Sequence, residues 1–333
     1  MKNPKHLTLI LLLAVLAPAS LLAQPPDVGT LETLVSFSSQ ALETPENLVV
    51  DESGTVYVNL AITGEIRKIA PDGTQSTLIN LPLGAPPLTI CGPFFGGLTG
   101  LAQDPRDGTL YAALASCDVA SRGIWRISPD GHGEVIANLP LAALPNGIVL
   151  EDGQIYVADT SQGLVWRAPA EGGTAEVWLD HPLLKPPPGA PAGSPGPNGI
   201  KIFKKEIYVS HSTAGTIIAV PINRDGTAGE PRIHAHLPGN SGCDDFSFDV
   251  HGALYCATNP FQTVVKINQD GSTEVLLTAA DGLDGPTATA FGRQGQDRLN
   301  LYIINAAFPF LPTTHNPSLM RLHLGVPGDS LGD

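Results

Sequence analysis

Apolar and polar positions alternate along this chain in short runs, and the runs recur in the same order. The pattern is cleanest at residues 146–167. Ile148, Val149 and Leu150 lead into a turn at Glu151-Asp152-Gly153-Gln154, and Ile155-Tyr156-Val157-Ala158-Asp159 follows. After a break at Thr160-Ser161-Gln162-Gly163 comes Leu164-Val165-Trp166-Arg167, and Ala175-Glu176-Val177-Trp178 closes the unit. Runs this short, bounded by Asp-Gly and Gly turns, predict strands rather than helices.

Six such units follow one another. The chain has six tyrosines, Tyr57, Tyr111, Tyr156, Tyr208, Tyr255 and Tyr302, one in the second strand of each unit. The first strands begin at Glu46, Thr99, Asn146, Asn198, Asp244 and Thr287, spaced by 53, 47, 52, 46 and 43 residues. Four strands in each ~40–50 residues predict the blade of a β-propeller. The last unit lacks a fourth strand after Leu324, whereas residues 29–37 carry the pattern of one. An N-terminal strand completing the last blade would close the ring and remove both free sheet edges. The expectation is therefore all-β: a six-bladed β-propeller over residues 29–325, with 326–333 as a flexible tail.

The composition of the 333 residues agrees with a turn-rich β protein, with 36 Gly, 31 Pro and 15% charged residues. A net charge of −14 disfavours nucleic acid and anionic membrane as partners. Lys2 and Lys5 precede an apolar run at residues 7–16 that is too short to span a bilayer. It predicts a signal peptide over residues 1–23, cleaved after Ala23 or Ala19, with an uncleaved anchor as the alternative. A mature, monomeric protein in the periplasm or outside the cell is expected. Four cysteines fit that compartment, and only the local pairing, Cys91 with Cys117 and Cys243 with Cys256, avoids bridging opposite sides of the ring.

Propeller topology places the starts of the first strands at the mouth of the central channel. The long connections, residues 83–97, 181–197, 280–286 and 306–317, fall on that same face, as expected of a binding rim. Glu46, Asn146, Asn198 and Asp244 bring four oxygen-bearing side chains to one axis, with no thiolate or imidazole among them. Hard oxygen ligands of this kind suit a divalent cation, Ca2+ foremost, with Mg2+, Mn2+ or Zn2+ as alternatives. Thr99 and Thr287 line the same mouth. Asp159, His211 and Asn259 end second strands on that rim and are expected to contact substrate.

These residues resemble the six-bladed family of gluconolactonase, senescence marker protein and luciferin-regenerating enzyme. The resemblance implies a metal on the channel axis held by Glu46 of blade one, Asn146 and Asn198 of the middle blades and Asp244 of blade five. It implies metal-assisted hydrolysis of a lactone or related ester, with Asp244 or its neighbour Asp245 as general base. Two departures stand out. Glu46-Asn47-Leu48 replaces the usual Glu-Gly-Pro, and Leu144 occupies the position where sugar-lactone members often carry an arginine. A more apolar lactone or ester is therefore an open alternative as substrate. A non-catalytic propeller binding a ligand or protein on the same rim is the competing function, because a fold hosts many functions. Gly328-Asp329-Ser330-Leu331-Gly332 matches the Gly-x-Ser-x-Gly pattern but lacks the strand and helix a nucleophile elbow needs.

Overall fold

The structure, a computed structural model, describes residues 29, 31–311 and 313–329. The signal peptide expected over residues 1–23 and the end of the tail, 330–333, lie outside the described residues. β1 (Leu31–Ser36) opens the described chain. Blade one is β2 (Pro45–Val50), β3 (Val56–Leu60), β4 (Glu65–Ile69) and β5 (Gln75–Asn80). A two-stranded hairpin, β6 (Ile90–Cys91) and β7 (Phe94–Phe95), interrupts the connection to blade two. Blade two is β8 (Gly97–Gln103), β9 (Leu110–Ala115), β10 (Gly123–Ile127) and β11 (Gly133–Asn138). Blade three is β12 (Pro145–Glu151), β13 (Gln154–Asp159), β14 (Leu164–Pro169) and β15 (Glu176–Asp180). Blade four is β16 (Pro197–Phe203), β17 (Glu206–His211), β18 (Thr216–Pro221) and β19 (Arg232–His236). Blade five is β20 (Cys243–Phe248), β21 (Leu254–Thr258), β22 (Thr263–Ile267) and β23 (Thr273–Leu277). Blade six is β24 (Pro286–Phe291), β25 (Asn300–Asn305) and β26 (Ser318–His323), completed on the outside by β1.

The ring closes as the pattern predicts. β1 pairs antiparallel with β26, from Leu31 opposite Leu322 to Ser36 opposite Ser318, and Glu32 forms an ion pair with Arg321 at 2.7 Å. The hydrophobic interior divides into six cores, each lying between two neighbouring blades. Each core is filled from both sides by alternate residues of inner and middle strands. Tyr57, for example, packs with Val49, Leu101 and Trp125 between blades one and two. This arrangement makes each blade's stability depend on its neighbours, which is why closure by β1 matters.

Residues 326–329 differ from the expected free tail. Val250 N donates to Pro327 O at 3.1 Å, Gly328 N to Arg298 O at 2.9 Å and Asp329 N to Phe248 O at 2.9 Å. Gly328 sits so close to Phe291 that an added Cβ would lie 2.1 Å from its Cβ. The segment laces blades five and six together on the face opposite the mouth. Both disulfides form with the expected partners, Cys91–Cys117 and Cys243–Cys256. The first ties the β6–β7 hairpin to the connection that follows β9 in blade two. The second lies inside blade five and staples the start of β20 to β21.

Candidate active site

Every inner strand carries a β-bulge near its start. The pairing register shifts at Pro45/Asn47, Leu98/Gly100, Pro145/Ile148, Pro197/Ile200, Cys243/Phe246 and Pro286/Ala288. A bulge opposes extra residues to a shorter stretch of the partner strand and re-aims their side chains. These bulges hold Glu46, Thr99, Asn146, Asn198, Asp244 and Thr287. The consecutive pairs Glu46-Asn47 and Asp244-Asp245 can thus both serve the channel, at two levels.

The glycines that follow Thr99, Asn146 and Asn198 have a packing role. A Cβ on Gly199 would lie 2.3 Å from Asp245 Oδ1 and 2.7 Å from Asp244 O, and one on Gly147 would lie 2.5 Å from Asn198 O. Neighbouring inner strands approach backbone to backbone here, so Asn-Gly marks a tight blade junction rather than a turn.

Side chains lock these junctions. Asn59 Nδ2 donates to Leu98 O at 2.9 Å, Thr99 Oγ1 to Pro145 O at 2.7 Å and Thr160 Oγ1 to Pro197 O at 2.7 Å. Ser212 Oγ donates to Cys243 O at 3.2 Å and Thr287 Oγ1 to Glu46 O at 2.7 Å. Between blades five and six, Gly285 N donates to Gln262 Oε1 at 2.5 Å. Five junctions thereby hold a first carbonyl of the next inner strand, and the sixth holds a backbone N–H just ahead of it. Thr99 and Thr287, expected to contact substrate, brace this girdle through their hydroxyls.

The mouth gathers an unusual set of oxygens. Glu46 Oε2, Asn198 Oδ1, Asp244 Oδ1 and Asn259 Oδ1 are all buried without a hydrogen-bond partner. Asn259 Nδ2 donates to Asp244 Oδ2 at 3.5 Å, and Asn198 Nδ2 to Ser212 Oγ at 3.0 Å. Burial, and then the Asp245 charge, push the Asp244 carboxyl up to about 7 against the hydrogen bonds of Asn259 and Asn198. Burial, followed by repulsion from Asp244 and Asp245, holds Glu46 well above the usual carboxylate range, opposed by Lys201. Buried polar atoms are normally paired, so four orphaned oxygens at one mouth are a deficit that a bound cation would satisfy. The donor set is all hard oxygen, two carboxylates and two carboxamides, which fits Ca2+ or a similar ion. Among the described residues no three His, Cys, Asp or Glu side chains form a ligand cluster, and the carboxamides are what complete this one.

Beneath this level lies a floor. Asp245 Oδ2 accepts from Lys201 Nζ at 3.0 Å and from Asn47 Nδ2 at 2.8 Å, while its Oδ1 accepts from Phe246 N at 2.9 Å. Asp245 is thus fully engaged, which leaves Asp244 as the carboxylate of the pair with a free oxygen. Asn47 N in turn donates to Asn59 Oδ1 at 2.5 Å. The floor links blades one, four and five across the channel. In the sequence Asn47 stands out only as part of the Glu46-Asn47-Leu48 departure, with no role attached, and Lys201 does not stand out as a site residue. A lysine inside the apolar run Ile200-Lys201-Ile202-Phe203 was the available signal.

Two other expected contacts are structural. Asp159 is buried and accepts from Leu144 N, Ser161 N, Gln162 N and Nε2, and Trp166 Nε1 at 2.9–3.1 Å. His211 is buried, and its Nδ1 accepts from Ala214 N at 3.2 Å, so Nε2 carries the proton that meets Lys185 O at 3.0 Å. It anchors the 181–197 connection rather than facing the mouth. Asn146 is half-buried at the blade-three position equivalent to Asn198 and makes no side-chain hydrogen bond, while Asn259 joins the orphaned cluster in its stead.

Fold and mouth together define a six-bladed propeller with an oxygen-lined axial centre. The chain is similar to the SMP-30/Gluconolactonase/LRE-like region, whose family model matches residues 191–307, from the end of the 181–197 connection through β25. A gluconolactonase from Xanthomonas campestris superposes with a TM-score of 0.64 and 20% identity, over 93% of this chain and 94% of that one. A luciferin-regenerating enzyme gives 0.65 and 15%, over 90% and 97%. A calcium-binding protein, regucalcin, from Agrobacterium tumefaciens gives 0.63 and 16%, over 92% and 96%. Identities this low establish a shared fold. No curated protein matches the chain.

Proposed function

We propose that the protein is an exported, metal-dependent hydrolase that opens a lactone or cleaves a related ester at the channel mouth. The observation that carries this reading is the cluster of buried, unpartnered oxygens on Glu46, Asn198, Asp244 and Asn259. The likeness to a gluconolactonase and to a calcium-binding protein of the same fold supports it. These four residues would hold the ion, with Asn146 available as a fifth oxygen. A divalent cation there supplies a Lewis acid for the substrate carbonyl and a water of lowered pKa.

The chain's own residues account for the rest. The Asp244 carboxylate takes the proton of the attacking water as the water's oxygen bonds to the carbonyl carbon. The ring or ester C–O bond then breaks, and the proton passes from Asp244 to the departing alkoxide. Asn259 Nδ2 donates to Oδ2 of that carboxylate and steadies its orientation. The Lys201–Asp245 pair closes the channel below, so that water and substrate meet on one side only.

A panel of lactones and aryl esters, assayed after chelation and after adding back Ca2+, Mg2+, Mn2+ or Zn2+, tests the proposal. Hydrolysis that disappears with chelator and returns with one ion supports it. Binding of an ion with no turnover of any lactone or ester would leave a non-catalytic ligand-binding propeller.

A further inference from the structure

The rim above blade one is apolar. The β6–β7 hairpin is held by Cys91–Cys117 and closed at its base by Gly96 N donating to Thr89 O at 3.1 Å. At its tip, Gly92 lies against Leu141 of the blade-three rim, where an added Cβ would be 2.3 Å from Leu141 O. At its other end Phe94 and Phe95 meet the 306–317 connection of blade six. The Phe95 and Phe310 rings are 5.3 Å apart, Phe94 and Phe310 6.5 Å, and Phe308 and Phe310 5.0 Å. Phe95 lies two residues before Gly97, where β8 begins, the inner strand whose bulge carries Thr99 at the mouth. The hairpin therefore touches both the connection that leads into blade three and the connection of blade six, on the face that carries the mouth.

This aromatic cluster is built rather than incidental. It joins residues 215 positions apart in sequence. Its blade-six half is fixed by Asp284, which accepts from Thr314 N at 2.9 Å, Thr314 Oγ1 at 2.8 Å and Asn316 N at 2.9 Å. Yet Phe94 remains 43% and Phe310 48% exposed, with Ile90 at 70% alongside. Rigidly held aromatics left open to solvent on the same face of the ring as a polar site mark a surface that awaits an apolar occupant. The polar side chains expected to grip a hydroxylated substrate are engaged elsewhere: Asp159 and His211 hold loops, and position 144 is leucine.

We infer that the hydrophobic cluster of Phe94, Phe95, Phe308 and Phe310 receives an alkyl or aryl substituent of the substrate whose carbonyl lies at the Asp244 centre. The inference rests on the hydrolase reading for the carbonyl, and on the aromatic cluster for the substituent.

The full chain, loaded with Ca2+, would be assayed on γ-butyrolactone, γ-octalactone, γ-decalactone and D-glucono-δ-lactone. The expected result is a kcat/KM that rises about twofold per methylene, as for partial burial of each CH2, and exceeds that for the sugar lactone. Phe310→Ser and Phe94→Ser should flatten the series by raising KM for the long lactones, with calorimetric Ca2+ affinity unchanged. Binding of γ-decalactam, which resists hydrolysis, gives a readout apart from turnover and should weaken about tenfold in Phe310→Ser. If no lactone is turned over but the lactam binds in this Phe310-dependent way, the apolar site stands and the hydrolase reading falls. A flat series, a preference for the sugar lactone, or serine variants without effect on lactone or lactam would overturn the inference. So would a dimer that dissociates in Phe94→Ser with unchanged kinetics, since a second copy would then be the occupant.

Discussion

Lys201 Nζ lies 3.0 Å from Asp245 Oδ2, and both side chains are only 4% exposed. The two residues come from adjacent inner strands, β16 and β20, one level below Asp244. Among the described residues the only other side chain hydrogen-bonded to Asp245 is Asn47, from the far side of the last blade. A buried ion pair is weak evidence for stability in itself, but removing one partner strands the other charge.

Lys201→Met should therefore destabilise the protein by about 3–5 kcal/mol, read as a drop in denaturation midpoint. The double variant Lys201→Met/Asp245→Leu should recover much of that loss. A single variant as stable as the parent would mean that the floor does not hold the ring together at this level.

The carboxyl pair predicts a pH dependence of the metal-free protein. The pKa values of Glu46 and Asp244 are raised by folding, Asp244 to about 7. Groups of this kind bind protons more tightly folded than unfolded. Their contribution is fully present below the unfolded carboxylate pKa and is lost as pH rises through the folded value. In chelator, the melting temperature should fall between about pH 4 and pH 7, and Ca2+ should restore it at the upper end by mass action. Asp244→Asn should flatten the curve in chelator. A parent protein with equal melting temperature at pH 5 and pH 7.5 in chelator would contradict the clustering of these two acids.

Asp244 and Asp245 should separate kinetically. Asp244→Asn retains shape but removes a proton acceptor and a ligand charge, so turnover should fall about 10²–10⁴-fold. Asp245→Asn should act mainly on stability. Equal losses of turnover in the two variants, at equal folded fraction, would argue against Asp244 as the base.

The two disulfides should differ in reactivity. Cys243 and Cys256 are fully buried inside blade five, whereas Cys91–Cys117 lies at the rim with Cys117 partly exposed. Mild reduction should open Cys91–Cys117 first and make residues 84–96 sensitive to protease while the blades stay folded. Simultaneous loss of both, followed by global unfolding, would show that the hairpin is not an independent appendage.

Gly199→Ala should disturb the centre from beneath. Its Cβ would collide with Asp245 Oδ1 and Asp244 O, and neither can retreat without breaking the floor. Weaker Ca2+ binding together with a lower melting temperature is expected, and an unchanged affinity would be inconsistent with the tight junction.

The blade count was legible because each unit repeats its own alternation, turn and tyrosine, and these depend only on local sequence. Closure by residues 31–36 was legible because the last unit visibly lacked a strand that the N-terminus supplied. The same periodicity placed Glu46, Asn198 and Asp244 at one end of the inner strands. It could not assign what each polar side chain does there, since that depends on contacts across blades. Asn259 joined the orphaned oxygens because the turn after β21 carries it back onto Asp244. Asp245 left the set because Lys201 and Asn47, from different blades, reach it first. Asp159 and His211 faced inward to the loops that follow them, and the phenylalanine cluster formed from two connections with no sequence relation. Periodicity within a strand is a local property of the chain. Which lone pairs remain unsatisfied at the centre of a ring is fixed only when all six inner strands are brought together.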